Sequence, residues 1–154
     1  MLHARRSDGL RNHYDISADG TDLTTWNSRM WRKGGSFELA GKHFDVGGNL
    51  WGRTYGMATA DGAEVATADR VGRRSWNVRV GKRSYDFRRG SFWRGDQVLL
   101  DATGTEIGSV RKIGIWGREA EADLPGLPLP VQVFAFAVVL SMWESQRQAA
   151  AAAG

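Results

Sequence analysis

The sequence predicts a mainly β protein, an antiparallel barrel of about twelve strands closed around a C-terminal apolar helix. Three observations carry this reading. The only long apolar run lies near the C-terminus, from Leu127 to Trp143. Before it, the chain is a series of short alternating runs broken by glycine turns. Those runs belong to a repeat with a spacing of 42 residues.

Residues 1–11 are polar and basic and show no periodicity, so they read as a flexible N-terminal arm. The single domain is expected over residues 12–148. Ser75–Val80 alternates, with Trp76, Val78 and Val80 on one face, and Ser84–Arg88 alternates again, with Tyr85 and Phe87 inward. With Gly81-Lys82 between them, these two runs form a β-hairpin. Ser36–Leu39, Gly41-Lys42 and Phe44–Val46 repeat the pattern. No amphipathic helical period precedes Pro128.

The repeat aligns Asp61-Gly62-Ala63-Glu64-Val65 with Thr103-Gly104-Thr105-Glu106-Ile107, and Arg70-Val71-Gly72 with Lys112-Ile113-Gly114. Upstream, Gly48-Asn49-Leu50-Trp51 matches Gly90-Ser91-Phe92-Trp93, and a weaker first copy starts at Asp19-Gly20-Thr21-Asp22-Leu23. Each copy holds about four short strands. Three copies are too few for a propeller, whereas a closed barrel removes the sheet edges with the chain at hand. A barrel of about twelve strands is too wide for its own side chains to fill, so something must occupy its axis.

The helix expected at about 130–148 is the candidate for that axis. Pro130 suits its first turn, and from Val131 to Trp143 only Gln132 and Ser141 are polar. A helix apolar on every face is enclosed by protein or by lipid. This run reaches only about 20 Å at the rise of an α-helix, short of the roughly 30 Å of a bilayer core. Val133, Phe134, Phe136, Ala137, Leu140 and Trp143 are therefore expected to fill a protein core. The Ala-rich residues 149–154 carry too little apolar bulk to be anchored and are expected to fray.

The segment Ala135-Phe136-Ala137-Val138-Val139-Leu140-Ser141, together with the Gly-x-Glu-aliphatic turns at 61–65 and 103–107, resembles the tubby C-terminal-like superfamily. That superfamily includes the tubby proteins, the plant LURP-one-related proteins and the phospholipid scramblases. The resemblance covers roughly residues 12–148 and lies in layout and short motifs. It implies a barrel wrapped around a central helix, and it implies phosphoinositide recognition by a basic surface, without residue-level contacts to carry over.

Composition narrows the function classes. The 154 residues are 42% hydrophobic and 25% charged, ordinary for a globular chain with a full core. The absence of cysteine excludes disulfides, thiolate metal sites and cysteine nucleophiles. No apolar stretch follows the N-terminal charges, so a cytoplasmic location is expected, with peripheral membrane association open. A net charge of +4 is compatible with an anionic partner.

Arg70, Arg73, Arg74, Arg79, Lys82, Arg83, Arg88, Arg89 and Arg94 crowd one stretch, with Asp86 the only acid after Arg70. Seven of them, Arg73, Arg74, Arg79, Lys82, Arg83, Arg88 and Arg89, are the candidate anion-binding residues, because arginine grips phosphate bidentately and cations gather at anionic lipid. The alternative is a solvated face that keeps the strands soluble. Trp76, Tyr85, Phe87, Phe92, Trp93 and Trp116 interleave with this stretch, but the alternation sets Trp76, Tyr85 and Phe87 on the face opposite Arg79 and Arg88, so core packing is expected and stacking on nucleic acid is not. Trp51 and Trp93, at equivalent repeat positions, are expected to be structural.

Asp15, Asp19, Asp22, Asp61, Glu64, Asp101 and Glu106 fall at turns and suit turn chemistry better than calcium binding. His3, His13 and His43 show no metal-ligand spacing. There is no nucleophile elbow, phosphate loop or dinucleotide fingerprint. Catalytic sites also assemble from residues distant in sequence, so an enzyme stays open, but the expectation is a monomeric, non-enzymatic binding or scaffold module without a cofactor. Its expected partner is an anionic phospholipid or a phosphate-bearing ligand. The alternatives are a protein-interaction adaptor without lipid affinity and a scramblase-like, membrane-associated protein.

Overall fold

The structure, a computed structural model, describes residues 1–7, 13–29, 33–90, 95–114 and 117–154. Phe92, Trp93, Arg94 and Trp116 lie outside the described residues. Twelve strands and one helix follow in chain order: β1 (Leu2–Arg6), β2 (His13–Ala18), β3 (Thr21–Ser28), β4 (Gly34–Leu39), β5 (Lys42–Gly48), β6 (Tyr55–Thr59), β7 (Glu64–Asp69), β8 (Ser75–Val80), β9 (Arg83–Arg89), β10 (Gln97–Leu100), β11 (Glu106–Ile113), β12 (Glu119–Asp123) and α1 (Leu129–Ala153). Every strand pairs antiparallel with its sequence neighbours, and β1 pairs with β12 to close the barrel.

The first correction concerns the N-terminus. Leu2–Arg6 is not a flexible arm: it hydrogen-bonds to both β12 and β2. Leu2 and Ala4 point into the core, which gives a period of two that His3, Arg5 and Arg6 mask by their polarity. The strand is needed for closure. Four-stranded units run β2–β5 and β6–β9, and the third, β10–β12, is completed by β1.

The repeat has a local structural cause. In β3 the ladder passes from Ile16↔Thr24 to Ser17↔Asp22, which leaves Leu23 as an extra residue. In β7 it passes from Met57↔Ala66 to Ala58↔Glu64, leaving Val65. In β11 it passes from Leu99↔Gly108 to Leu100↔Glu106, leaving Ile107. The acidic-aliphatic pair of each copy is thus a β-bulge, recurring every 42 residues. A bulge bends its strand and increases twist, and three at equal spacing spread the curvature that closure needs.

The helix occupies the barrel axis. Val133, Phe134, Phe136, Ala137, Leu140 and Trp143 are all buried, and with Trp26, Phe37, Phe44, Trp76 and Phe87 of the wall they form one core. Phe37 stacks on Phe44 with ring centroids 5.1 Å apart, and Trp76 on Phe87 at 4.4 Å. No described helix is long and apolar enough to cross a membrane. The second correction lies at the other terminus: the helix runs through Ala153, past the end expected at about residue 148. The side chains beyond Ser145 are exposed, so the high helix propensity of alanine, and not packing, sustains these last turns.

Antiparallel order divides the connections between two ends. The turns at Asp19-Gly20, Ala40-Gly41, Asp61-Gly62, Gly81-Lys82 and Thr103-Gly104 share one end, where α1 enters. The loops after β1, β3, β5, β7, β9 and β11 share the other, where α1 emerges. Backbone hydrogen bonds lace the described parts of these loops together. Gly48 N–H donates to the Lys33 carbonyl, Val71 N–H to Arg53, and Arg89 N–H to Arg74.

Candidate functional site

The cationic stretch is split by the zigzag of the strands. Lys82 and Arg83 lie at the end where the helix enters, and Arg73, Arg74 and Arg89 at the end where it emerges. A six-residue strand, β8, separates them by about 20 Å. Arg79 and Arg88 point outward from the wall as expected, but both have carboxylate partners. Arg79 Nη2 lies 3.8 Å from Asp69, and Arg88 Nη2 3.1 Å from Glu106. The cations of this stretch are therefore spread along the β8–β9 hairpin from one end of the barrel to the other. Trp76 and Phe87 are buried, and Tyr85 is packed against the core from a half-buried position, which removes them from any stacking role.

What the structure assembles instead is a cleft of about 390 Å³ beside the emerging helix, lined by Trp51, Gly52, Arg53, Val71, Gly72, Arg73, Met142, Ser145 and Gln146. Three elements build it. The β5–β6 loop brings Arg53, the β7–β8 loop brings Arg73, and the hydrogen bond from Val71 N–H to the Arg53 carbonyl at 2.9 Å fixes the two loops side by side. The last buried turn of α1 supplies Met142 and Ser145. Arg53, Arg70, Arg73 and Arg74 are all exposed, and none of them forms an ion pair with a described carboxylate.

The floor beside this cleft holds polar groups. The Tyr55 hydroxyl is buried without a hydrogen-bond partner among the described residues, and burial pushes its pKa up to about 12. A Cβ built on Gly52 would lie 3.4 Å from that hydroxyl and 3.7 Å from Lys33 Cε. Lys33 Nζ in turn donates to Ser145 Oγ. Gly52 has φ +65, so the loop favours glycine there for its backbone.

Farther around the same end, Trp143 Nε1 donates to the Gly95 carbonyl at 2.9 Å, and Lys112 Nζ lies 5.0 Å above the Trp143 ring. Burial, and then the neighbouring Arg147 charge, lower the pKa of Lys112. Arg147 also reaches the Tyr14 hydroxyl at 3.4 Å. These cations are engaged, in contrast to Arg53 and Arg73.

The carboxylates do turn chemistry. Asp61 accepts from the Thr59 hydroxyl and Ala63 N–H, and Asp101 from the Thr103 hydroxyl at 2.6 Å and the N–H groups of Thr103 and Thr105. Among the described residues no group of three or more His, Asp or Glu side chains is placed to hold a metal. His43 lies between Glu38 and Asp45, at 3.7 and 3.2 Å. A second depression of about 340 Å³ lies over the sparse β3–β4 pairing and is lined by Thr24, Thr25, Asn27, Ser36, Phe37, Glu38 and His43, with no lysine or arginine.

Sequence reading missed Arg53, Lys33, Tyr55 and Ser145 because loops and helix meet only in three dimensions. It misplaced Trp51, which is not structural: the side chain is 81% exposed. The available signal was local. Asn49 and Gly52 bracket Leu50-Trp51 and mark a tight turn, where a large apolar side chain has little to pack on. No protein-family model, no curated protein and no solved structure matches this chain.

Proposed function

We propose that this chain is a non-enzymatic, tubby-like binding module that takes an anionic, phosphate-bearing group at the end of the barrel where the helix emerges. The observation that carries the reading is the convergence on one cleft of two exposed arginines, Arg53 and Arg73, that have no carboxylate partner among the described residues. Guanidinium groups form charge-assisted, bidentate hydrogen bonds with phosphate. Beside the cleft, the Lys33 ammonium, hydrogen-bonded to Ser145 of the lining, adds a further cation. A lipid headgroup and a soluble phosphate compound share this chemistry.

Titration with inorganic pyrophosphate tests the free-phosphate source, and sedimentation with phosphatidylcholine vesicles, with and without phosphatidylserine, tests the lipid source. The double variant Arg53→Glu/Arg73→Glu should bind at least about tenfold more weakly to whichever probe the wild type binds. Lys82→Glu/Arg83→Glu, with the same change in charge at the opposite end, should bind like the wild type. Equal losses in the two variants would show a diffuse charge effect and remove the cleft as the site. Failure of the wild type to bind either probe removes the function.

A further inference from the structure

We infer that Leu50 and Trp51 form an anchoring tip that inserts into the interfacial layer of an anionic lipid bilayer, with the end of the barrel where the helix emerges facing the membrane. The inference rests on the anionic-ligand reading above and commits it to a lipid source. Leu50 is 90% exposed and Trp51 81%, more than any other large apolar side chain described. They are adjacent in one loop. The remaining exposed large apolar side chains described, Met1, Ile107 and Leu129, lie toward the opposite end of the barrel.

The tip is rigid. Asn49 Oδ1 accepts from the backbone N–H of Arg53 at 2.9 Å and of Thr54 at 3.3 Å. Asn49 N–H donates to the Thr54 carbonyl, and Gly52 N–H to the Asn49 carbonyl, each at 3.0 Å. The turn thus holds two apolar side chains in water although the barrel core lies next to it. Preorganisation of this kind lowers the ordering cost of insertion.

Charge complementarity selects the partner. Arg53 flanks the tip in the same loop, and Arg70, Arg73 and Arg74 occupy the adjoining one. Cations gathered around an apolar tip match an anionic leaflet, which attracts each of them and accepts the leucine and the indole at headgroup level. A protein partner would need a shaped, contiguous surface of roughly 800 Å² on each side, whereas two apolar side chains ringed by arginines offer a point.

The test uses Leu50→Ser/Trp51→Ser in the full chain. Both positions are exposed, so an unchanged circular dichroism spectrum and unfolding midpoint are expected and are checked first. Vesicles of phosphatidylcholine and phosphatidylserine, pyrophosphate titration and quenching of tryptophan fluorescence by lipids brominated on the acyl chain provide the readouts. The double variant should bind vesicles about tenfold or more weakly, and Leu50→Ser alone, at a position outside the cleft lining, should weaken vesicle binding while binding pyrophosphate like the wild type. Trp51→Phe should reduce the fluorescence that brominated lipid quenches. Vesicle binding unaffected by the double substitution, or quenching unaffected by Trp51→Phe, overturns the tip and leaves the cleft standing. So does a wild type that binds pyrophosphate and ignores vesicles. A wild type that binds neither overturns both.

Discussion

The indole N–H of Trp76 donates to the side-chain oxygen of Gln97 at 2.8 Å, a buried bond that spans β9. The Gln97 amide then donates to the Gly95 carbonyl, which also accepts from Trp143 of the helix. Wall and axis are thereby joined by one polar chain inside an otherwise apolar core. Gln97 is the large polar residue that the core retains, at 2% exposure.

Replacing it tests that chain. Gln97→Leu keeps the volume and leaves the Trp76 N–H buried without a partner, a loss of about 1–3 kcal/mol. Urea unfolding should show a lower midpoint with an unchanged slope. A stability equal to the wild type would mean that the bond contributes nothing net.

The axis is tested at Ala137, which is 0% exposed. Ala137→Asp places an unpaired carboxylate among Phe134, Val138 and the barrel wall, and should cost several kcal/mol. Loss of cooperative unfolding, or insoluble expression, is the expected result. A cooperative transition at the wild-type midpoint would contradict a helix enclosed on every side.

Much of this architecture was readable beforehand, and the reasons are physical. The helix announced itself because its burial demands apolar residues on every face, which no surface helix shows. The repeat announced itself because a bulge needs an extra residue at a set distance from its turn, so Asp22-Leu23, Glu64-Val65 and Glu106-Ile107 keep one spacing. The strand β1 was hidden because it buries only two side chains, one of them Ala4. The site was hidden for a different reason. Neighbours in sequence, such as Arg74 and Lys82, are carried to opposite ends by the strand between them, while Arg53 and Arg73 meet across a boundary that no local pattern marks.

Two glycines should respond differently to alanine. A Cβ on Gly35 would lie 2.1 Å from the Asn27 carbonyl oxygen, in the short pairing that joins β3 to β4. Gly35→Ala must push these backbones apart, at about 3 kcal/mol, the upper part of the range for overpacking. Gly62, at φ +89, faces open space, so Gly62→Ala carries only left-handed strain of about 1–2 kcal/mol. Thermal midpoints should rank wild type above Gly62→Ala above Gly35→Ala, and a reversed order would contradict the close approach of β3 and β4.

Asp101 gives an acid-limb prediction. The Thr103 hydroxyl, followed by the Thr105 N–H, holds its pKa below the ordinary 3.8. A folded pKa below the unfolded one means stabilisation that is complete above the unfolded value and lost as pH falls through the folded value. The stability difference between wild type and Asp101→Asn should therefore be constant above about pH 5 and shrink toward pH 3. A difference independent of pH across that window would mean that the charge of Asp101 is not what the turn uses.

Closure through β1 and β12, with the helix following β12, dictates an order of events during synthesis. A ribosome delivers the wall first, and β1, paired on one side with β2, meets its second partner more than a hundred residues later. The axis that fills the wall comes last. Until Trp143 has emerged, the ring has no interior, and Trp26, Phe37, Trp76 and Phe87 have nothing to bury against. A fragment ending before Leu129 lacks the side chains that complete this core, and leaves the inward face of the wall open to water.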